Sequence, residues 1–229
     1  MNRITKPQLV DMLTLQNTLN QLVNPDWLAA NYAWARAIRV ECAELSDHLG
    51  WKWWKKQEPN LPQAQIEMVD IWHFMLSHTL NGAAQGDAGK AADEILNNLV
   101  EADGEPGPII PIANRVFVLN QMTMHERVDL MGALAGLGYS FPAVFERLMA
   151  DVGLTWETLH KQYVAKNVLN IFRQRNGYKD GTYIKDWHGE EDNVHLERFM
   201  VTFPDDTPEQ LLDRLGYAYG EVLVGRTMA

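Results

Sequence analysis

The chain has 229 residues, 46% of them hydrophobic, with one cysteine and a formal net charge of −10. That length can bury one sizeable core, so a single domain over residues 1–229 is expected, and no apolar run approaches the roughly 20 residues of a membrane span. The acidic balance excludes the broad basic footprint of a protein that binds nucleic-acid polymer, and a lone Cys42 excludes an internal disulfide.

Residues 1–7 carry no apolar core or small-residue cleavage site, which predicts a cytoplasmic protein. Leu9, Met12, Leu13, Leu19 and Leu22 recur at helical spacing, so a first helix is predicted over residues 6–22, ending at Asn24-Pro25. Asp26 reads as the N-cap of a second helix over residues 27–49, stopped by Gly50. A tryptophan-rich connection, Trp51-Lys52-Trp53-Trp54, leads to Asn60-Leu61-Pro62, a helix start with proline in the first turn. The third helix has apolar residues over a wide arc, predicting burial on more than one side.

After a break at residues 82–89, a weaker helical pattern covers residues 91–100 and precedes the loop Asp103-Gly104-Glu105-Pro106-Gly107-Pro108. Residues 112–151 read as short helices, a helical insertion or second lobe devoted to packing. Thr155 caps a long helix that ends near Gly177, followed by a loop over residues 178–192. The tail offers an extended or helical stretch near residues 196–203 and a helix entered through Thr207-Pro208-Glu209, with strands expected, if anywhere, in the tail. The fold class is all-α: a compact helical bundle with a metal site between helices, plus a variable helical insertion.

Two acidic pairs stand out. Glu41/Glu44 and Glu67/Asp70 share a three-residue spacing that puts each pair on one helix face, and both lie among apolar residues. A lone ExxE is usually a solvated face, but carboxylates inside apolar helical stretches are costly without a compensating cation. Oxygen ligands favour a hard divalent ion, Mg²⁺ or Mn²⁺, which points to phosphate chemistry. A di-iron carboxylate site would need matched Glu-x-x-His motifs, which Glu44/His48 and Asp70/His73 do not supply.

A second group gathers Lys166, Arg173, Arg175, Lys179 and Lys185 around a Gly- and Tyr-containing loop. Part of it complements a helix C-terminus, and the remainder suits phosphate oxygens. A third comprises Gln16 and Asn20, four apart, with Trp51, Trp53, Trp54, His73 and Phe74. Amides there can read a base edge while a ring stacks on the base, although exposed amides and core tryptophans are the commoner reading.

Taken together, Gln16-Asn17-Thr18-Leu19-Asn20, Glu41-Cys42-Ala43-Glu44, Gly50-Trp51-Lys52-Trp53-Trp54-Lys55, Glu67-Met68-Val69-Asp70-Ile71-Trp72-His73-Phe74, and Asn176-Gly177-Tyr178-Lys179 through Gly189-Glu190-Glu191-Asp192-Asn193 resemble the dimeric all-α dUTPase family, relatives of the MazG-type pyrophosphohydrolases. The resemblance covers roughly residues 8–80 and 155–195, leaving 83–153 as a variable helical segment and 196–229 as a tail. It implies a homodimer that hydrolyses dUTP to dUMP and pyrophosphate, with Mg²⁺ held by Glu41, Glu44, Glu67 and Asp70 and a carboxylate of the Glu41/Glu44 pair taking the proton of the attacking water. It further implies uracil contacts from Gln16, Asn20 and a tryptophan such as Trp51 or Trp54, with His73 and Phe74 near the deoxyribose. The phosphates would meet Arg173, Tyr178, Lys179 and Lys185, with Asn170 or Asn193 contributing. The competing expectations are a pyrophosphohydrolase acting on dCTP or several dNTPs, and a dUTP-binding regulator without turnover.

Overall fold

The computed structural model describes residues 3–100, 107–112 and 114–227, so Asp103, Gly104, Glu105 and Pro106 of the anticipated loop lie outside the described residues. Helix α1 (Lys6–Val23) opens on a capping box in which the Thr5 N–H donates to Gln8 Oε1 at 3.0 Å. Its buried face runs through Leu9, Met12 and Leu13 and then, at the same spacing, continues into Gln16 and Asn20. A stripe that changes from apolar to amide while staying buried demands polar partners on the facing helices.

The second helix starts later than its sequence predicts. Residues 27–33 form turns, Asn31 takes a left-handed φ of 50°, and α2 spans Trp34–Leu49 without a side-chain cap. Trp27 is the cause. Its ring is buried edge-on to Trp34, with centroids 5.9 Å apart, and its indole N–H donates to Asn17 Oδ1 at 3.1 Å. Gly50 at φ 76° closes α2 in the left-handed geometry that glycine adopts without steric cost.

Asn60 caps α3 (Leu61–Asn81) by accepting from Gln63 N, and α3 is buried on several sides, as its wide apolar arc predicts. The two helices run antiparallel. The start of α2 meets the end of α3, where Trp34 donates to Asn81 Oδ1, and its end meets the start of α3, where His48 approaches Glu67.

Helix α4 (Ala88–Val100) begins three residues earlier than its pattern suggests, because Asp87 accepts from Lys90 N at 3.0 Å. The middle segment then departs from the all-helical expectation. Strands β1 (Ile109–Ile112) and β2 (Arg115–Val118) pair antiparallel, Ile110 opposite Phe117, using β-branched and aromatic residues suited to a pleated surface. Helices α5 (Met124–Gly136) and α6 (Pro142–Asp151) follow.

These elements are no separate lobe. Leu130, Leu134, Phe145 and Leu148 belong to the same buried cluster as Leu13, Met68 and Trp72, and Phe145 stacks on Trp72 with centroids 4.8 Å apart.

Helix α7 (Trp156–Arg175), capped by Thr155, crosses from this core to a second one. In that second cluster Leu169, Phe172, Trp187, Leu196 and Leu215 join α7 to the tail helices α8 (Asp192–Thr202) and α9 (Pro208–Thr227). The stretch near residues 196–203, readable from sequence as extended or helical, is therefore helix. The loop before it carries a two-residue ladder of β3 (Asp186–Trp187) with β4 (Glu190–Glu191). Among the described residues no helix is long and apolar enough to cross a membrane.

Because Phe145 ties the middle segment to Trp72, Phe145→Ala is expected to lower unfolding free energy by about 3–5 kcal/mol while the main core still melts in one step. Denaturant titration followed by tryptophan fluorescence and by circular dichroism checks this. Two separated transitions would show that residues 109–151 fold apart.

Candidate active site

The antiparallel pairing of α2 and α3 brings Glu41 against Glu67 and Asp70, with a ligand oxygen from each within 4.8 Å of the others. Glu67 is buried, Glu41 and Asp70 half-buried. Glu44 lies outside this close group, one turn along α2 and exposed, yet its charge contributes to raising both Glu41 and Glu67. Desolvation first, then the charges of Asp70, Glu44 and Glu67, push the Glu41 pKa up to about 8. Glu67 shifts upward for the same leading reason, opposed by His48 and Lys166.

Lys166 and His48 face the group. Lys166 Nζ donates to Asp70 Oδ2 at 3.0 Å, and His48 Nε2 stands 3.3 Å from Glu67 Oε1. The sequence puts Lys166 in the basic group but gives it no contact with the acidic pairs, and it gives His48 no place in the site; with Asn170 and Arg173, Lys166 falls at i, i+4 and i+7 on one face of α7. Clustered carboxylate oxygens whose charge is incompletely compensated fit a hard divalent cation.

Beside Asp70 opens a cavity of about 320 Å³. Gln16 and Asn20 of α1, His73 and Phe74 of α3, and Asn170 and Arg173 of α7 all line it, with Tyr178 at the start of the following loop. Its aromatic wall is Trp27, Tyr32 and Trp34, Trp34 lying 6.4 Å from Phe74. The structure does not bring Trp51 or Trp54 to this cavity. Trp51 donates to Asp47 Oδ1 at 2.7 Å, packs edge-on against Trp54 and borders a different hollow with Arg39 and His125. The aromatic wall of the cavity comes from residues 27–34 because that segment breaks from helix and folds its rings inward.

The amides at the cavity floor are held in a buried network. His73 Nδ1 is 2.7 Å from Gln16 Oε1, the Tyr163 hydroxyl 3.0 Å from the same oxygen, and Gln16 Nε2 donates to Asn20 Oδ1 at 3.1 Å. Burial lowers the His73 pKa to about 4, so its ring is neutral.

The expected phosphate residues separate into two sets. Arg173 and Tyr178 line the cavity, the guanidinium 5.8 Å from the tyrosine ring, and Arg173 is gripped by Asp192 at 2.6 and 2.8 Å. Arg173 also reaches Asn170 at 3.1 Å and Asn193 at 3.3 Å. Lys179 donates to the carbonyl of Val23, a rim residue, at 2.8 Å. Lys185 pairs with Glu191 at 2.9 Å and does not line the cavity. Gly177, at φ 90°, turns the chain so closely that a Cβ there would run into Thr182 Oγ1.

An acidic cluster thus opens beside an amide-floored, aromatic-walled cavity with an arginine at its edge. No curated protein matches the chain. The family model described as dUTPase matches residues 8–178, from the amide-bearing helix α1 through the acidic pairs to Tyr178 at the cavity edge. With that match spanning well over half of the sequence, the chain belongs to the all-α dUTPase family and is a dUTP diphosphatase that hydrolyses dUTP to dUMP.

Proposed function

We propose that catalysis is Mg²⁺-dependent, with the ion or ions held by Glu41, Glu44, Glu67 and Asp70. The observation that carries this reading is the approach of Glu41, Glu67 and Asp70 oxygens to within 4.8 Å of one another beside a nucleotide-sized cavity. When bound, Mg²⁺ neutralises triphosphate charge and lowers the pKa of a coordinated water.

The protein's own groups do the rest. Glu44, exposed one turn from Glu41, accepts the proton of the attacking water. Arg173, Tyr178 and Lys179 orient phosphate oxygens at the cavity edge, where preorganised donors matter most for phosphoryl transfer. Gln16 and Asn20 contact uracil, while Phe74 packs on the deoxyribose with His73 behind it. Direct attack by water releases dUMP and pyrophosphate without a covalent intermediate.

A cytoplasmic homodimer completes the reading. Exposed Val40, Trp53, Trp54 and Leu61, on α2, α3 and their connection, support it, since a second copy would remove them from water.

Glu44→Gln is expected to keep the fold and lower kcat by roughly 10²–10⁴-fold, the usual worth of a positioned base. Pyrophosphate release by the purified variant checks this, and full turnover would remove Glu44 from the reaction. Chelation by EDTA is expected to stop dUTP hydrolysis and added Mg²⁺ to restore it. Undiminished turnover in EDTA would exclude a divalent cofactor.

The raised Glu41 pKa gives a third expectation, for metal-free protein. The folded state holds a proton that the unfolded state, with a pKa near the ordinary 4.5, releases. The resulting stabilisation is full below that value and lost as pH rises through about 8. Melting temperature should therefore fall across this window, and less steeply in Glu41→Gln. Identical slopes for the two proteins would contradict the assignment.

A further inference from the structure

Uracil and cytosine share a carbonyl at position 2 and differ along the rest of the pairing edge. Uracil presents acceptor, donor, acceptor; cytosine presents acceptor, acceptor, donor. An amide pair that reads this edge must therefore be fixed in direction, because rotating each amide by a half-turn exchanges its oxygen and nitrogen.

In the cavity floor that direction is set from behind. His73 Nε2 is buried without a hydrogen-bond partner. A proton there would be an orphaned buried N–H, which is rare, so the proton belongs on Nδ1, which then donates to Gln16 Oε1 at 2.7 Å. The Tyr163 hydroxyl, itself buried, shares its proton between that same oxygen at 3.0 Å and the Met12 carbonyl at 2.9 Å. Burial holds Tyr163 well above its usual pKa, the neighbouring Asn167 amide opposing, so it remains a donor.

With Gln16 Oε1 taken, Gln16 Nε2 donates to Asn20 Oδ1 at 3.1 Å and Asn20 Nδ2 to Ser77 Oγ at 3.0 Å. Ser77 in turn gives its proton to the His73 carbonyl at 3.1 Å, shorter than its 3.5 Å approach to Asn20 Oδ1. Each amide nitrogen keeps one hydrogen, and Asn20 Oδ1 keeps a lone pair. Asn20 Oδ1 lies between the two nitrogens, bonded to Gln16 Nε2 on one side and sharing an amide with Nδ2 on the other. The unspent groups thus read donor, acceptor, donor, the complement of uracil; reversing the circuit would give acceptor, donor, acceptor, which matches neither base.

We propose that His73, Tyr163 and Ser77 are positioning residues that lock the Gln16 and Asn20 amides in the direction complementary to uracil, and so set the preference for dUTP over dCTP. This rests on the reading above that Gln16 and Asn20 contact the base.

The test compares wild type with Tyr163→Phe, Ser77→Ala, Ser77→Thr and, as a control, Gln16→Ala. Calorimetry gives dissociation constants for dUMP and dCMP, and steady-state kinetics give kcat and KM for dUTP. Expected for Tyr163→Phe and Ser77→Ala is a fall of roughly fivefold to tenfold in the dUMP-over-dCMP preference, with KM rising and kcat little changed, as suits loss of one hydrogen bond. Ser77→Thr, which keeps the hydroxyl, should hold the preference. If Gln16→Ala lowers the preference while Tyr163→Phe and Ser77→Ala do not, the lock is overturned and the base contact stands. If none of the three lowers it, the base contact fails and the lock with it. A fall in melting temperature with an unchanged ratio would mark Tyr163 and Ser77 as merely structural.

Discussion

The repulsion among Glu41, Glu67 and Asp70 is the constraint around which the structure is arranged. Like charges this close, partly removed from water, oppose the packing of α2 on α3 that brings them together. The helices are nonetheless held in register by apolar contacts on the same faces: Ile38, Cys42 and Leu45 of α2, and Met68, Ile71, Trp72 and Met75 of α3, are all buried in one core. Burial and the neighbouring carboxylates raise the Glu41 pKa, and Lys166, 3.0 Å from Asp70, supplies part of the compensating charge. On the proposed reading, a divalent cation bound among these oxygens would relieve that repulsion.

Helix α3 converts this local problem into a nucleotide site. Glu67, Asp70, His73, Phe74 and Ser77 follow one another along a single buried helix, so the acidic oxygens, the Phe74 ring and the buried Ser77 hydroxyl are spaced by the helical repeat and not by loops. On the proposed reading, one rigid element then fixes the distance from base to scissile phosphate. Asp70 is the hinge of the arrangement, because it belongs to the acidic group, lines the cavity and pairs with Lys166.

How much of this was legible depended on whether the cause was local. The acidic pairs, the helix start at Asn60, the cap at Thr155 and the stop at Gly50 are set by neighbouring residues, and each stands where its local pattern puts it. Asp26 as a cap predicts helix from residue 27; only the burial of Trp27 against Trp34 and Asn17, a tertiary event, makes the segment turn. The same tertiary event puts Trp27, Tyr32 and Trp34 on the cavity wall, while Trp51 borders another hollow. The hairpin of β1 and β2 was missed because its four-residue strands fall below the length at which alternation can be told from a short helix. Tyr163 and Ser77 looked like ordinary helix residues, since their partners lie 147 and 57 positions away.

The phosphate end shows why the tail matters although the family match stops at Tyr178. Arg173 is buried, and a guanidinium in that position without a carboxylate would be costly; Asp192, fully buried at the start of α8, supplies one and also accepts from Tyr183 at 2.8 Å. Its charge is therefore largely balanced before substrate arrives. On the proposed reading, what Arg173 offers a phosphate is fixed geometry more than net charge, which leaves neutralisation to exposed Lys179 and a cation at the acidic cluster. The tail, with Trp187 and Leu196 packed against Phe172 and Leu169, holds Asp192 in place and so holds the arginine at the cavity edge. Loosening that second core would disturb Arg173 first and the Gln16 and Asn20 amides last, since the amide network is built wholly from α1, α3 and α7 in the main core.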